Sequence, residues 1–132
     1  MIHMSLSDSK VEAVIAVSDM AKAKEFYEGK LGLSGGDDGS DGGHTYPCGD
    51  GTEIHVYPSP DNAGKSGATL AAWTVDDVEK TVDELSGNGV KFEQYDEPMK
   101  TNEKGIAEEP GEGKIAWCKD PDGNTLGIGE NM

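Results

Sequence analysis

Apolar positions along this chain follow two rhythms, and the order of the rhythms occurs twice. The run VEAVIAV at 11–17 is short, dense and rich in β-branched residues, which predicts a strand. Ser18 and Asp19 come next, and either side chain is able to cap a helix. In MAKAKEFYEGKLG, the residues Met20, Ala23, Phe26, Tyr27 and Leu31 recur at helical spacing, giving one buried stripe with Lys22 and Lys24 outside it. The second round starts with TLAAWTV at 69–75. Asp76 offers an N-cap, with Glu79 completing a capping box, and Val78, Val82 and Leu85 form the stripe. SGNG at 86–89 ends this helix, since glycine readily takes the left-handed conformation of a helix end.

After each helix only strand signals follow. They lie at 32–37, 44–48 and 52–57 in the first half, and at 91–95, 114–119 and 124–129 in the second. The order is therefore β-α-β-β-β twice, an α+β chain. Module 11–57 and module 69–129 are joined by the turn-rich linker 58–68, and together they make one domain over 1–132. Residues 58 apart match: Val17 with Val75, Asp19 with Asp77, Lys22 with Lys80, Gly29 with Gly87. Residues 72 apart match near the module ends: Asp50 with Asp122, Gly51 with Gly123, Ile54 with Leu126, Val56 with Ile128. The echo breaks where His55 falls on Gly127.

Such a duplication predicts a pseudo-two-fold, with equivalent strands lining one cleft in a curved mixed sheet and the helices on the other face. Strand alternation assigns the faces. Val11, Ala13, Ile15 and Val17 turn to the helix, leaving Glu12, Val14 and Ala16 in the cleft. Leu70, Ala72 and Thr74 face the cleft on the equivalent strand, with Trp73 in the core beneath the second helix. Glu53, His55 and Tyr57 face it on the fourth strand, and Thr125 and Gly127 on the last. Either Trp117 or Cys118 points into the cleft. His44 is expected at an exposed strand start. The 18 residues 96–113 are long for a connection and read as an acidic loop, or as a lid or dimer arm over the cleft.

Charge narrows the function classes. Twenty-six acids against 11 lysines and no arginine give a net charge of −15 in 132 residues. That excludes a nucleic-acid interface, which needs a basic face, and removes the usual bidentate clamp for anions. The acidity reads either as solubility and adaptation to salt or as attraction of a cationic ligand. Cys48 and Cys118 fit neither a close metal spacing nor a disulfide framework, and no base accompanies Cys118 to make it a nucleophile. The opening MIHMSLSDSK has no basic start or apolar run, and no segment approaches the ~20 apolar residues of a membrane span, so a cytoplasmic protein without membrane partners is expected. The low apolar share, 34%, suggests that a homodimer completes the fold.

The segments AVIAVSDMAKAKEFYEGKLGL, TVDDVEKTVDELSGNGVKF and WCKDPDGNTLGI resemble the vicinal oxygen chelate superfamily, the glyoxalase, bleomycin-resistance and extradiol-dioxygenase group. The resemblance covers nearly the whole chain and implies two tandem βαβββ modules around a curved cleft. Metal-dependent members place one ligand on each of four cleft strands, typically two histidines and two glutamates. The matching positions here are Glu12, His55, Leu70 and Gly127, of which only Glu12 and His55 can bind a metal. A catalytic metal needs at least three protein ligands, so no metal and no other cofactor is expected. The resemblance then implies a protein that binds a small organic molecule in its cleft, lined by Val14, Glu53, Tyr57, Leu70, Ala72, Thr74, Trp117 and Gly127. The alternative is a lyase, isomerase or dioxygenase of the same superfamily, with Glu12 as base and His55 as acid or orienter if the chemistry is metal-free.

Overall fold

In a computed structural model, residues 6–97, 99–109 and 113–130 are described. The β-branched run at the start forms β1 (Glu12–Val17). Asp19, in an extended conformation, then accepts the amide protons of Ala21 and Lys22 and starts α1 (Met20–Lys24). The helix continues through Glu25–Lys30 with wider turns, in which the Leu31 amide reaches back to the Phe26 carbonyl. Ala23, Phe26 and Tyr27 are buried, as the stripe predicts. Three strands follow, β2 (Asp37–Asp38), β3 (His44–Pro47) and β4 (Glu53–Pro58). The sheet order is β1-β4-β3-β2, with β1 parallel to β4 and the other pairs antiparallel.

The second module repeats this topology. Strand β5 (Thr69–Thr74) leads to α2 (Val78–Gly87), then to β6 (Ile106–Glu109), β7 (Gly113–Lys119) and β8 (Thr125–Gly129). The order β5-β8-β7-β6 copies the first sheet, and β1 and β5 touch where the modules meet. The chain thus has the α+β architecture of two four-stranded mixed sheets.

Several local expectations need correction. Residues 91–95 form no strand; a single bridge, Phe92 to Cys118, is all the pairing they make. The second strand of the module is instead β6, inside the stretch read as a loop, because Ile106 and Ala107 bury against β7 while Gln94 and Tyr95 are bound by the returning turn. (Pro98 and 110–112, in the same stretch, lie outside the described residues.) The cap of α2 is Asp77, which accepts the Lys80 amide, not Asp76; Glu79 pairs with Lys104 and Lys114 rather than closing a capping box. Val11 stands 83% exposed just outside β1, and the weak strand at 32–37 shrinks to two residues.

One core runs beneath both helices, with Ile15, Val17, Val56, Val78, Val82 and Leu126 almost wholly buried. Each such side chain contributes about 1.5–3 kcal/mol by leaving water. A polar joint holds the modules in place. Ser18 donates from its amide and hydroxyl to the Asp122 carboxylate, and Asn124 donates to the Ala16 carbonyl. Buried Asp120 accepts from the Tyr27 hydroxyl at 2.8 Å, from the Asn124 side chain, and from the amides of Asp122 and Asn124. Burial, then the Asp120 charge, keeps the Tyr27 phenol protonated far above its ordinary range. The linker crosses this joint at Gly64. There φ is +67° and a Cβ would lie 2.0 Å from the Asp122 carbonyl oxygen, so only glycine fits.

Candidate functional site

Strand register puts His55 on the concave face, opposite Val14 of β1 and Thr45 of β3. Its side chain is 14% exposed. Nε2 lies 2.7 Å from Asp41 Oδ2, and Nδ1 lies 2.8 Å from Thr45 Oγ1. A carboxylate only accepts, so Nε2 carries a proton towards Asp41, while Nδ1 shares a hydrogen bond with the Thr45 hydroxyl. The tight turn from Gly39 to Gly43 aims Asp41 at the ring: the Gly39 amide donates to the Gly43 carbonyl, and the Gly43 amide donates to Asp41 Oδ1. The turn approaches so closely that a Cβ on Gly39 would stand 3.2 Å from His55 Cε1. The bond to His55, then that from Gly43, holds the Asp41 carboxyl below its usual value. Tyr57 stacks beside the imidazole at 6.2 Å.

Glu12 does not join this group. It is exposed at the start of β1 beside Glu53, which pairs with Lys10 at 3.4 Å. His44 proves held as well. Its ring nitrogens face Asp38 Oδ1 at 2.8 Å and the Gly35 carbonyl at 2.7 Å. Two acceptors stabilise the imidazolium, so its pKa is raised, chiefly by Asp38.

In the second module the pair equivalent to Thr45 and His55 is Trp117 and Gly127. A Cβ on Gly127 would stand 3.5 Å from the Thr69 methyl, 3.6 Å from the Ala72 Cβ and 3.6 Å from the Trp117 indole. Trp117 therefore faces the cleft. Cys118 faces the core, where burial, then Asp120 and Glu93, push its thiol up to about 12. Tyr95 meets Trp117 edge-on, with centroids 5.6 Å apart. The two rings line a hollow of about 380 Å³ with Thr69, Thr125, Glu97 and Met99. A bulge between Thr69 and Ala71 disturbs the alternation: Thr69 lies by Gly127, and Leu70 packs against the core. Ala72 and Thr74 remain exposed on the cleft side, and so does Val14, at 55%.

Sequence reasoning missed Asp41, Thr45, Tyr95 and Met99. One signal was available for Thr45, which falls on Trp117 at the same 72-residue offset that aligns His55 with Gly127. The others sit in loops, whose course no periodicity reports.

A four-ligand metal set does not fit these residues. Leu70 and Gly127 offer no donor, Glu12 stands apart from His55, and both nitrogens of His55 are engaged. Among the described residues, no three His, Cys, Asp or Glu side chains converge as a metal site, and no helix is long and apolar enough to cross a membrane.

The family model described as Glyoxalase/Bleomycin resistance protein/Dioxygenase superfamily matches residues 10–128. No curated protein matches the chain. Among solved structures, TnmS3, an antibiotic binding protein from Streptomyces sp. CB03234, is 24% identical with a TM-score of 0.64, over 98% of this chain and 100% of that one. A glyoxalase / bleomycin resistance protein from Catenulispora acidiphila is 20% identical with a TM-score of 0.64, over 92% of this chain and 96% of that one. Another from Streptomyces sp. CB03234 is 25% identical with a TM-score of 0.60, over 91% and 100%.

Proposed function

The chain belongs to the glyoxalase/bleomycin resistance protein/dioxygenase superfamily, and from that premise we propose that it binds a small organic molecule on its concave face without a transition metal. The observation that carries this reading is the hollow of about 380 Å³ walled by Trp117 and Tyr95. Ligand sites are typically hollows of this kind, mostly apolar with a few polar groups at fixed places. An aromatic corner favours a flat ligand. Glu97 at its edge and the net charge of −15 favour one carrying positive charge. The antibiotic binding of TnmS3 is a property of that protein, but it supports the same use of the fold here. We place the protein in the cytoplasm as a homodimer, with the exposed Val14 available to a second copy.

A second reading has its own observation. The Asp41–His55–Thr45 chain resembles an oriented acid–base relay, with Asp41 fixing the tautomer and the Thr45 hydroxyl at the far end. In that reading the protein is a metal-free lyase or isomerase, and Glu12 and Glu53 are rim carboxylates.

A thermal-shift screen of a small-molecule library, run on the wild type and on Trp117→Ala, tests the binding reading. Ligands that raise the Tm of the wild type and not of the variant are expected. Ligands that stabilise both proteins equally move the binding site elsewhere. Turnover of such a ligand that is lost in His55→Ala would establish the enzymatic reading instead.

A further inference from the structure

The opposite face of the second sheet carries another hollow. Trp73, Val75, Leu126 and Ile128 alternate away from the cleft and, with Phe92 and Leu85, wall a cavity of about 260 Å³ beneath α2. Leu31 and Leu33 close it from the first module. Both modules are thus needed to build it. The Asn88 side chain donates to the Lys30 carbonyl at 3.3 Å and ties the end of α2 to the end of the first helix beside it. An apolar cavity of roughly 150 Å³ stays dry and holds a benzene ring, so this one has room for one ring and a short chain.

Its mouth is polar on one side only. Thr81 commits its hydroxyl to the Asp77 carbonyl at 2.9 Å. Glu84, one helical turn before the end of α2, is exposed and has no hydrogen bond or ion pair among the described residues. With a net charge of −15 behind it, this carboxylate repels anions and attracts a cation whose apolar part can enter the cavity. We propose that the α2 cavity is a second binding site, separated from the concave cleft by the sheet, for a small amphiphilic amine: one aromatic ring or a short alkyl group inside, its ammonium at Glu84.

Trp73 reports on this cavity and Trp117 on the cleft, and the chain has no other tryptophan. In a Trp117→Phe background, emission is followed while 2-phenylethylammonium, neutral 2-phenylethanol or 3-phenylpropionate is added. Saturable change is expected, strongest for the cation and weakest for the anion. Glu84→Gln should weaken the cation about two- to fivefold, the range for an exposed ion pair, and leave the alcohol unchanged. Thr81→Phe places a ring in the mouth from the half-exposed surface of the helix, and should weaken both ligands about tenfold or more. Leu33→Phe repeats the block from the other module, should one variant fold poorly by its melting curve. No saturable response to any of the three compounds, an anion preferred over the cation, or binding untouched by either blocking variant overturns the proposal.

Discussion

The two modules place the same two register positions side by side and fill them in opposite ways. In the first, β4 supplies a ring, His55, and β3 a small hydroxyl, Thr45. In the second, β7 supplies the ring, Trp117, and β8 nothing but the backbone of Gly127. The bulk has changed strands, and the chemistry has changed with it. A polar ring fixed by a hydroxyl and a carboxylate stands at one end of the concave face. An aromatic corner stands at the other. The connecting turns differ as sharply. Asp120 to Asn124 forms the joint between modules, whereas the matching turn from Cys48 to Thr52 bonds mainly to itself. A duplicated fold constrains backbone and buried faces, and leaves each copy free to diverge wherever its side chains meet solvent or the other copy.

The contrast between the turns should give the largest effect. Asp120→Ala strands the Tyr27 hydroxyl, the Asn124 amide and two backbone N–H groups, and should cost about 3 kcal/mol, while Cys48→Ala at the equivalent place costs under about 0.5 kcal/mol. Urea unfolding of both variants measures the difference, and equal losses would mean that the two turns do the same work. Next comes the aromatic corner. Trp117→Ala should weaken a cleft ligand found by the screen about thirtyfold, or about 2 kcal/mol, against less than about threefold for His55→Ala. Calorimetry with both variants settles which module recognises the ligand.

A smaller effect separates the loops. Asp41→Ala releases His55 and the Gly43 amide, and should lower stability far less than Asp120→Ala does, because Asp41 is 44% exposed and water screens the pair. Exchange of the Gly43 amide proton should quicken while the amides of β8 keep their rates. The smallest effect is on pH dependence at neutral and acid pH, and it belongs to the first module, which holds the shifted His44, Asp38 and Asp41. His44 is raised from 6.5 by Asp38, so its contribution is complete below 6.5 and is lost as pH rises through the higher folded value. Asp38 is lowered from 3.8, so its share is present above 3.8 and is lost as pH falls through the lower folded value. An NMR titration should show His44 changing above 6.5, and returning towards 6.5 in Asp38→Asn. An unshifted midpoint in the wild type would break the pair.

Local pattern was enough for the duplicated frame. The runs at 11–17 and 69–75, the stripe through Ala23, Phe26 and Tyr27, and the matched Asp-Gly turns are written within a few residues of each other, because side-chain direction repeats every 2 residues in a strand and every 3.6 in a helix. The same periodicity placed His55 and Gly127 on the cleft face. It could not choose between Trp117 and Cys118, since alternation fixes that two neighbours oppose each other and not which of them meets the core. Pairing with β8 decided that choice. Nor could it find β6 at 106–109 in an acidic stretch, or bring Asp41 to a histidine 14 residues away. Those outcomes depend on where loops return and what they meet there. That is a balance of closure entropy against contacts distant in sequence, and only the folded chain resolves it.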